Sequence, residues 1–163
     1  MTTLTTANGY EFIVDDEDVD LISEHKWFAR KHGKSLYLEG WEWNNELNRN
    51  FTLYGHRVIL GVTDPTVHID HTNGNPLDNR KQNLRIVTRS QNIANSRVRD
   101  DNTSGYKGVS WHKGKAKWVA RVSKDNVRHS LGYFTNPEDA AGAYNRAALR
   151  FHGEYARLNT VQG

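Results

Sequence analysis

Four polar residues stand out for what their types could do together: Asp70 and His71 side by side, then Asn83, then Asn92. A carboxylate and an amide oxygen are hard ligands, suited to Mg²⁺ or Mn²⁺ and poor for zinc. An imidazole with an ordinary pKa of about 6.5 is largely neutral near pH 7 and can take a proton from water. The chemistry on offer is metal-assisted hydrolysis, with Asp70 and Asn92 as an oxygen pair around one cation and His71 working beside it. Taken singly, the residues also have plainer roles: Asn73, Asn75, Asn79 and Asn83 form turns, and Asp70-His71 is a polar strand end.

The elements that must position them follow from the local sequence. Residues 67–71 are β-prone, 72–79 are almost pure turn chemistry, and 84–87 alternate apolar and polar. Thr88-Arg89-Ser90-Gln91 has the spacing of a capping box, so a helix opens there and carries Asn92 one turn in. Adjacent strand residues point to opposite faces unless the strand ends at them, and the Thr72-Asn73-Gly74 turn ends this one. His56 and His68 lie upstream, which leaves a rival grouping of His56, His68 and His71 around zinc. No fixed helical spacing joins those three, and His68 reads better as packed within its strand.

The segment VHIDHTNGNPLDNRKQNLRIVTRSQNIAN, residues 67–95, resembles the core of the HNH (ββα-metal, His-Me finger) endonucleases, most closely the homing branch found in phages and introns. The Asp-His pair, the LDNR and NLR blocks and the closing Asn fall in order. The resemblance implies that His71 is the general base and that Asp70 and Asn92 bind one divalent ion at the scissile phosphate. It implies that Asn83 supports the loop and helps orient the imidazole. An Asn at position 92, where other branches have His, favours Mg²⁺ or Mn²⁺ over zinc or nickel. His56-Arg57 matches a His-Arg pair that often precedes this core, with phosphate contact and a structural role both open.

The rest of the chain supplies context. Of 163 residues, 36% are apolar, and the 13 glycines bring that to about 44%, slightly under the usual ~45–50%. Mean hydropathy is −0.81, which points to small units in place of one thick core. No cysteine is present, so disulfide scaffolds and thiolate zinc sites are excluded. No apolar run approaches a membrane span, and no signal pattern opens the chain; the expected setting is cytoplasmic, a phage-infected host cell if the resemblance holds. Residues 1–66 carry six Lys/Arg against eleven Asp/Glu (net −5), residues 67–100 six against three (net +3), and residues 101–163 ten against five (net +5). An acidic front and a basic back suit a polyanion partner for the back. Trp41 and Trp43, two apart, share one strand face. They read as core filling, with base stacking as the alternative.

Residues 105–159 start a new pattern: three short strands over 106–111, 117–122 and 127–134, then a helix opened by Asn136-Pro137 and closed by Gly153. This stretch resembles the APETALA/ethylene-response-factor DNA-binding domain, known from plant transcription factors and from phage HNH endonucleases, through its YKGV, LGYF, EDAA and AYNRAA blocks. The resemblance implies a three-stranded sheet docked in the DNA major groove and backed by the helix. By alternation, Trp118, Ala120 and Val122 face the helix and Lys117, Arg121 and Ser123 face outward. Arg121 and Arg128 are then the base readers, Lys107, Lys113 and Lys117 the phosphate contacts, and Ser130 a further DNA contact. Ser110, Ser130 and Arg121 depart from the residues usual in the plant domains, so the plant target does not carry over.

The expected fold is α+β: a mixed unit over 1–66, the HNH motif over 67–96, a linker over 97–104 and the sheet-plus-helix unit over 105–159. The expected function is a metal-dependent, site-directed DNA endonuclease acting on double-stranded DNA as a monomer or homodimer. One active site per chain implies one nick. The alternative is a non-catalytic DNA-binding regulator with a relic HNH fold.

Overall fold

Strand pairing in this chain is local: every strand pairs antiparallel with its neighbour in sequence. The computed structural model describes residues 1–33, 35–99 and 101–161. In chain order they form β1 (Thr2–Thr5), β2 (Glu11–Val14), α1 (Val19–Ser23), β3 (Phe28–His32), β4 (Ser35–Asn44), β5 (Arg49–Tyr54) and α2 (Gly55–Ile59). Then come β6 (His68–His71), β7 (Leu84–Val87), α3 (Arg89–Asn95), β8 (Val109–His112), β9 (Lys117–Lys124), β10 (Val127–Phe134) and α4 (Pro137–His152). The sheets are β1-β2, β3-β4-β5, β6-β7 and β10-β9-β8, an α+β arrangement. Among the described residues no helix is long and apolar enough to cross a membrane.

The chain divides into two units, Met1–Val87 and Thr88–Gly163. This differs from the division expected at residue 66. The β6–β7 hairpin has too few apolar residues for a core of its own, so Leu84, Ile69 and Leu77 pack with Phe12, Val14, Ile22, Trp27 and Leu38. Backbone bonds close the same seam, with Asn79 N donating to Ile13 O and Ile13 N to Leu77 O, both at 2.8 Å. The acidic run at 15–18 meets the same loop. Lys81 pairs with Glu17 at 2.6 Å and Asp18 at 2.8 Å, and its amide donates to Asp15 Oδ2. Asp18 and Glu17 raise the Lys81 pKa, the Asp18 hydrogen bond contributing most.

Trp41 and Trp43 do not fill the core, contrary to the sequence reading. Trp41 is 37% and Trp43 51% exposed. The inner face of β4 is taken by Leu38 and by Gly40, whose missing side chain lets the Trp27 ring lie against it. Trp41 and Trp43 therefore face outward, while Glu39 on the same side of the strand is buried.

The second unit begins with α3. Its capping box forms as expected: Thr88 Oγ1 accepts from Gln91 N, and Gln91 Oε1 accepts from Thr88 N at 2.8 Å. The segment expected as a linker ends in an ordered turn, where Asn102 Oδ1 accepts from the amides of Ser104 at 2.9 Å and Gly105 at 2.8 Å. In the sheet-plus-helix portion, Ala140, Ala141 and Ala143 pack on Val109 and Ala120, and Tyr144 and Ala148 pack on Val122. Alanines at the contact let the α4 backbone approach the sheet closely. Asn136 caps α4 by accepting from Asp139 N at 2.8 Å, with Pro137 in its first turn.

Gly108 sits where that close approach is tightest. Its φ is +74°, and a Cβ there would lie 2.6 Å from Arg121 O and overlap the Tyr144 ring. Gly108→Ala should therefore destabilise the second unit by about 2–4 kcal/mol, from a left-handed backbone plus overpacking. Thermal melts followed by circular dichroism check this; an unchanged midpoint would contradict the packing described.

Candidate functional site

The turn between β6 and β7 is organised around buried amides and one buried carboxylate. Asp78 accepts from Asn73 Nδ2 at 2.8 Å and from Arg80 Nε at 2.8 Å and Nη2 at 2.6 Å. The Arg80 hydrogen bond lowers the Asp78 pKa. Asn83 braces the same loop, its Nδ2 donating to Asp78 O at 2.7 Å and its Oδ1 accepting from Asn73 N at 3.0 Å. Asx turns at Asn73 and Asn75 complete the loop. The bland roles expected for these asparagines are thus real, and together they hold one strand end still.

That strand end carries Asp70 and His71, both buried. Across the ladder Asp70 faces Arg85, whose Nε and Nη2 donate to Asp70 Oδ2 at 3.0 and 2.8 Å. His71 Nε2 lies 3.2 Å from Oδ1 of Asn79, a residue with no exposed surface. Asn79 Nδ2 donates to Pro76 O at 3.3 Å, which sets the amide's orientation and presents its oxygen to the ring. The imidazole therefore donates from Nε2, and Nδ1 is the basic nitrogen. Burial lowers the His71 pKa, opposed by the Asn79 hydrogen bond and by Asp70 and Asp78. Neutral imidazole is favoured at pH 7.

Asn79 and Arg85 were not singled out in the sequence. Strand alternation with the register His71 opposite Leu84 was the available signal for Arg85. Asn79 looked like one more turn residue.

His56, on α2, is the other histidine at this place. Its ring centroid is 5.3 Å from that of His71 at 79°, and Tyr37 lies 6.5 Å from His71 and 6.3 Å from His56. Burial, then the proximity of His71 and Arg57, push the His56 pKa down to about 3. Its Nδ1 is buried with no hydrogen-bond partner among the described residues. Arg57 has a structural role: its guanidinium donates to Val67 O at 3.0 Å and to Asp64 O, holding the segment before β6. A cleft of about 740 Å³ opens beside His56 and Tyr37, lined also by His32, Tyr54 and Arg57. His68 is exposed, against the expectation that it packs in its strand. Among the described residues no three His, Asp or Glu side chains form a metal-binding group, so the zinc alternative has no support.

Asp70, His71 and Asn83 lie together in the first unit, and Asn92 lies on α3 in the second. The oxygen donors Asp70 and Asn92 suit a hard divalent cation by type, and Asp70 is already held in place through Oδ2.

In the second unit the register puts Arg121 opposite Ser130 and Ser123 opposite Arg128, all on the sheet face away from α4. Arg121 Nη1 approaches Ser110 Oγ at 3.4 Å. Lys113, Lys117, Arg128 and Ser130 are exposed, as a contact surface requires. The same face holds Tyr133 with the Lys115 ammonium 4.0 Å from its ring and His112 beside it at 5.2 Å, three residues the sequence reading passed over. Lys107 behaves differently from the phosphate contact expected. Its Nζ donates to Ile93 O, Ala94 O and Ser96 O at 3.0, 2.5 and 2.6 Å, closing the C-terminal end of α3.

Known proteins are similar to this chain over the same segment. A family profile described as HNH endonuclease matches residues 54–94, a span containing His56, Asp70, His71, Asn79, Asn83 and Asn92. Protein 3.8 of Escherichia phage T7 is 36% identical over 91 residues, covering 56% of this chain and 74% of its own length. An uncharacterized HNH endonuclease of Acanthamoeba polyphaga mimivirus is 29% identical over 98% of this chain and 80% of its own. The AP2-like ethylene-responsive transcription factor ANT of Arabidopsis thaliana is 25% identical over 85% of this chain, which spans 28% of that factor.

Proposed function

The chain belongs to the HNH endonucleases and joins that nuclease segment to an AP2-like DNA-binding unit; on that premise we propose that it is a metal-dependent, site-directed endonuclease of the homing type. The observation that carries the reading is His71, buried, neutral and oriented through Nε2 so that Nδ1 can act as base. Nδ1 takes a proton from water as its oxygen attacks phosphorus; the P–O3′ bond breaks and the departing 3′ oxygen takes a proton from solvent, giving 5′-phosphate and 3′-hydroxyl ends. Asp70 and Asn92 would hold Mg²⁺ or Mn²⁺, which when bound neutralises charge on the scissile phosphate and leaving oxygen. Arg85 fixes the Asp70 carboxylate, and Asn79 fixes the imidazole. One site per chain nicks one strand, and a double-strand break needs a second chain or a second event.

The test is nicking of supercoiled plasmid with Mg²⁺ and with EDTA. Mg²⁺-dependent conversion to open circles supports the reading. Binding without cleavage in either condition favours a DNA-binding regulator, the role suggested by the likeness to plant transcription factors.

Two further outcomes are expected. Asn79→Ala frees the ring to take the other tautomer and should lower kcat by roughly 10–100-fold with little change in KM, the usual cost of losing a group that orients a site residue. Steady-state nicking kinetics read this split, and a change confined to KM would contradict it. On the sheet, Arg121→Ala or Arg128→Ala should relax preference at one base pair, worth about 1–3 kcal/mol, whereas Lys117→Ala should weaken all sequences alike. Competition against single-base variants distinguishes these behaviours. Uniform loss for both arginines would mean that this face does not read bases.

A further inference from the structure

The outer face of the β3-β4-β5 sheet carries a row of aromatic side chains that the nuclease reading does not use. Tyr37, Glu39, Trp41 and Trp43 share it on β4, facing Arg30 and Phe28 on β3 and Tyr54, Thr52 and Asn50 on β5. The Arg30 guanidinium lies 4.8 Å from the centre of the Trp41 ring, and Phe28 lies 5.2 Å from it. Trp43 is held by an indole N–H donated to Asn45 Oδ1 at 3.0 Å, leaving half its surface in solvent. These are large, oriented, exposed rings beside a cation, on a sheet whose other face gives Leu38 and Leu53 to the core.

The segment that forms this sheet differs in charge from the acidic segment before it. Residues 1–24 hold seven Asp/Glu and no Lys/Arg, whereas residues 25–57, which contain the sheet, hold six Lys/Arg and three Asp/Glu. The carboxylate on the aromatic face, Glu39, is buried and hydrogen-bonded to His32 Nε2 at 2.5 Å. The face is also continuous with the reaction site, since Tyr37 at its other end packs against both His56 and His71.

We propose that this face is a stacking platform for unpaired bases of the DNA substrate, with Trp41 and Trp43 as the rings and Arg30 holding the backbone. Duplex DNA does not expose base faces, so the substrate class is a duplex opened, frayed or mismatched next to the cut. This deepens the nuclease reading by naming the form of DNA at its site. Rings with cations nearby bind single strands with little sequence preference, because every base has a π-face.

The test uses the full chain without metal and a labelled oligothymidylate of about twelve nucleotides, a length in the range such surfaces cover. Binding is followed by fluorescence anisotropy. Wild type should bind, the double variant Trp41→Ala/Trp43→Ala should bind at least about tenfold more weakly, and Trp43→Phe should keep most of the affinity. Trp111→Ala, which removes an exposed tryptophan of the second unit, should bind as wild type does. Equal far-UV circular dichroism and melting of the variants shows that folding is intact, as their exposure predicts. No binding by wild type, equal binding by the double variant, or loss only in Trp111→Ala overturns the platform. The nuclease reading fails separately: a chain that binds oligothymidylate through these rings but never nicks plasmid keeps the platform and loses the nuclease, and the reverse result does the opposite.

Discussion

His71→Ala is expected to bind duplex DNA as the parent does and to nick it more slowly by roughly 10²–10⁴-fold, the usual contribution of a general base. The loss is confined to kcat because the imidazole sits at a buried strand end, and the sheet face expected to hold DNA lies in the other unit. The pH profile gives an independent readout. Burial lowers the pKa of His71 below its ordinary 6.5, and the neutral ring is the active form. The rate therefore rises with pH through a value under 6.5 and is level above it, so long as water activation limits the reaction. An acid limb centred above 6.5, or wild-type nicking by His71→Ala, would remove His71 from the base role.

Removal of the metal or its carboxylate ligand is expected to be more complete. EDTA should take the parent protein to background, and Asp70→Ala should match EDTA-treated parent at saturating Mg²⁺. Asp70→Ala also removes the carboxylate that Arg85 holds through Nε and Nη2, so it should cost stability, about 3–5 kcal/mol for one partner of a buried pair. Asp70→Asn separates the two effects: it keeps the side chain's shape and an oxygen for Arg85 while removing the charge. It should fold closer to the parent and still fail to nick at ordinary Mg²⁺, with partial return at high Mn²⁺. Full activity of either variant in EDTA would mean a metal-free reaction.

The same two residues mark how far sequence reaches. The β6 strand end, the β7 strand, the Thr88 capping box, the strand over 127–134 and the helix from Asn136 to Gly153 were all legible, because hydrogen-bonding caps, turn formers and period-two alternation act over a few residues. Local chemistry of this kind is written next to the residues that use it. Asp70 and His71 were legible for the same reason, as neighbouring residues in a dense motif. The partner that orients His71 was not. Asn79 is one of four asparagines in a turn-rich stretch, and only the closure of the loop directs its amide oxygen at the ring.

The larger corrections all concern groups whose role depends on distant sequence. The β6–β7 hairpin shares a core with β2 because neither segment can bury enough apolar surface alone, a balance no single window reveals. Lys107 closes the end of α3 because folding places carbonyl oxygens around it, whereas in sequence it is one lysine in a basic segment. Trp41 and Trp43 were correctly placed on one strand face by their spacing, but spacing fixes only that they share a side. Which side is buried depends on where Trp27 and Leu38 pack, and here Gly40 gives the inner face to Trp27 and leaves both indoles outside. Sequence alone determined the family and the local elements, and it marked Asp70-His71 as the candidate site, since these reside in short-range pattern. Tertiary structure decided burial, the hydrogen-bond partners and which face is free, since those are set by residues that meet only after the chain folds.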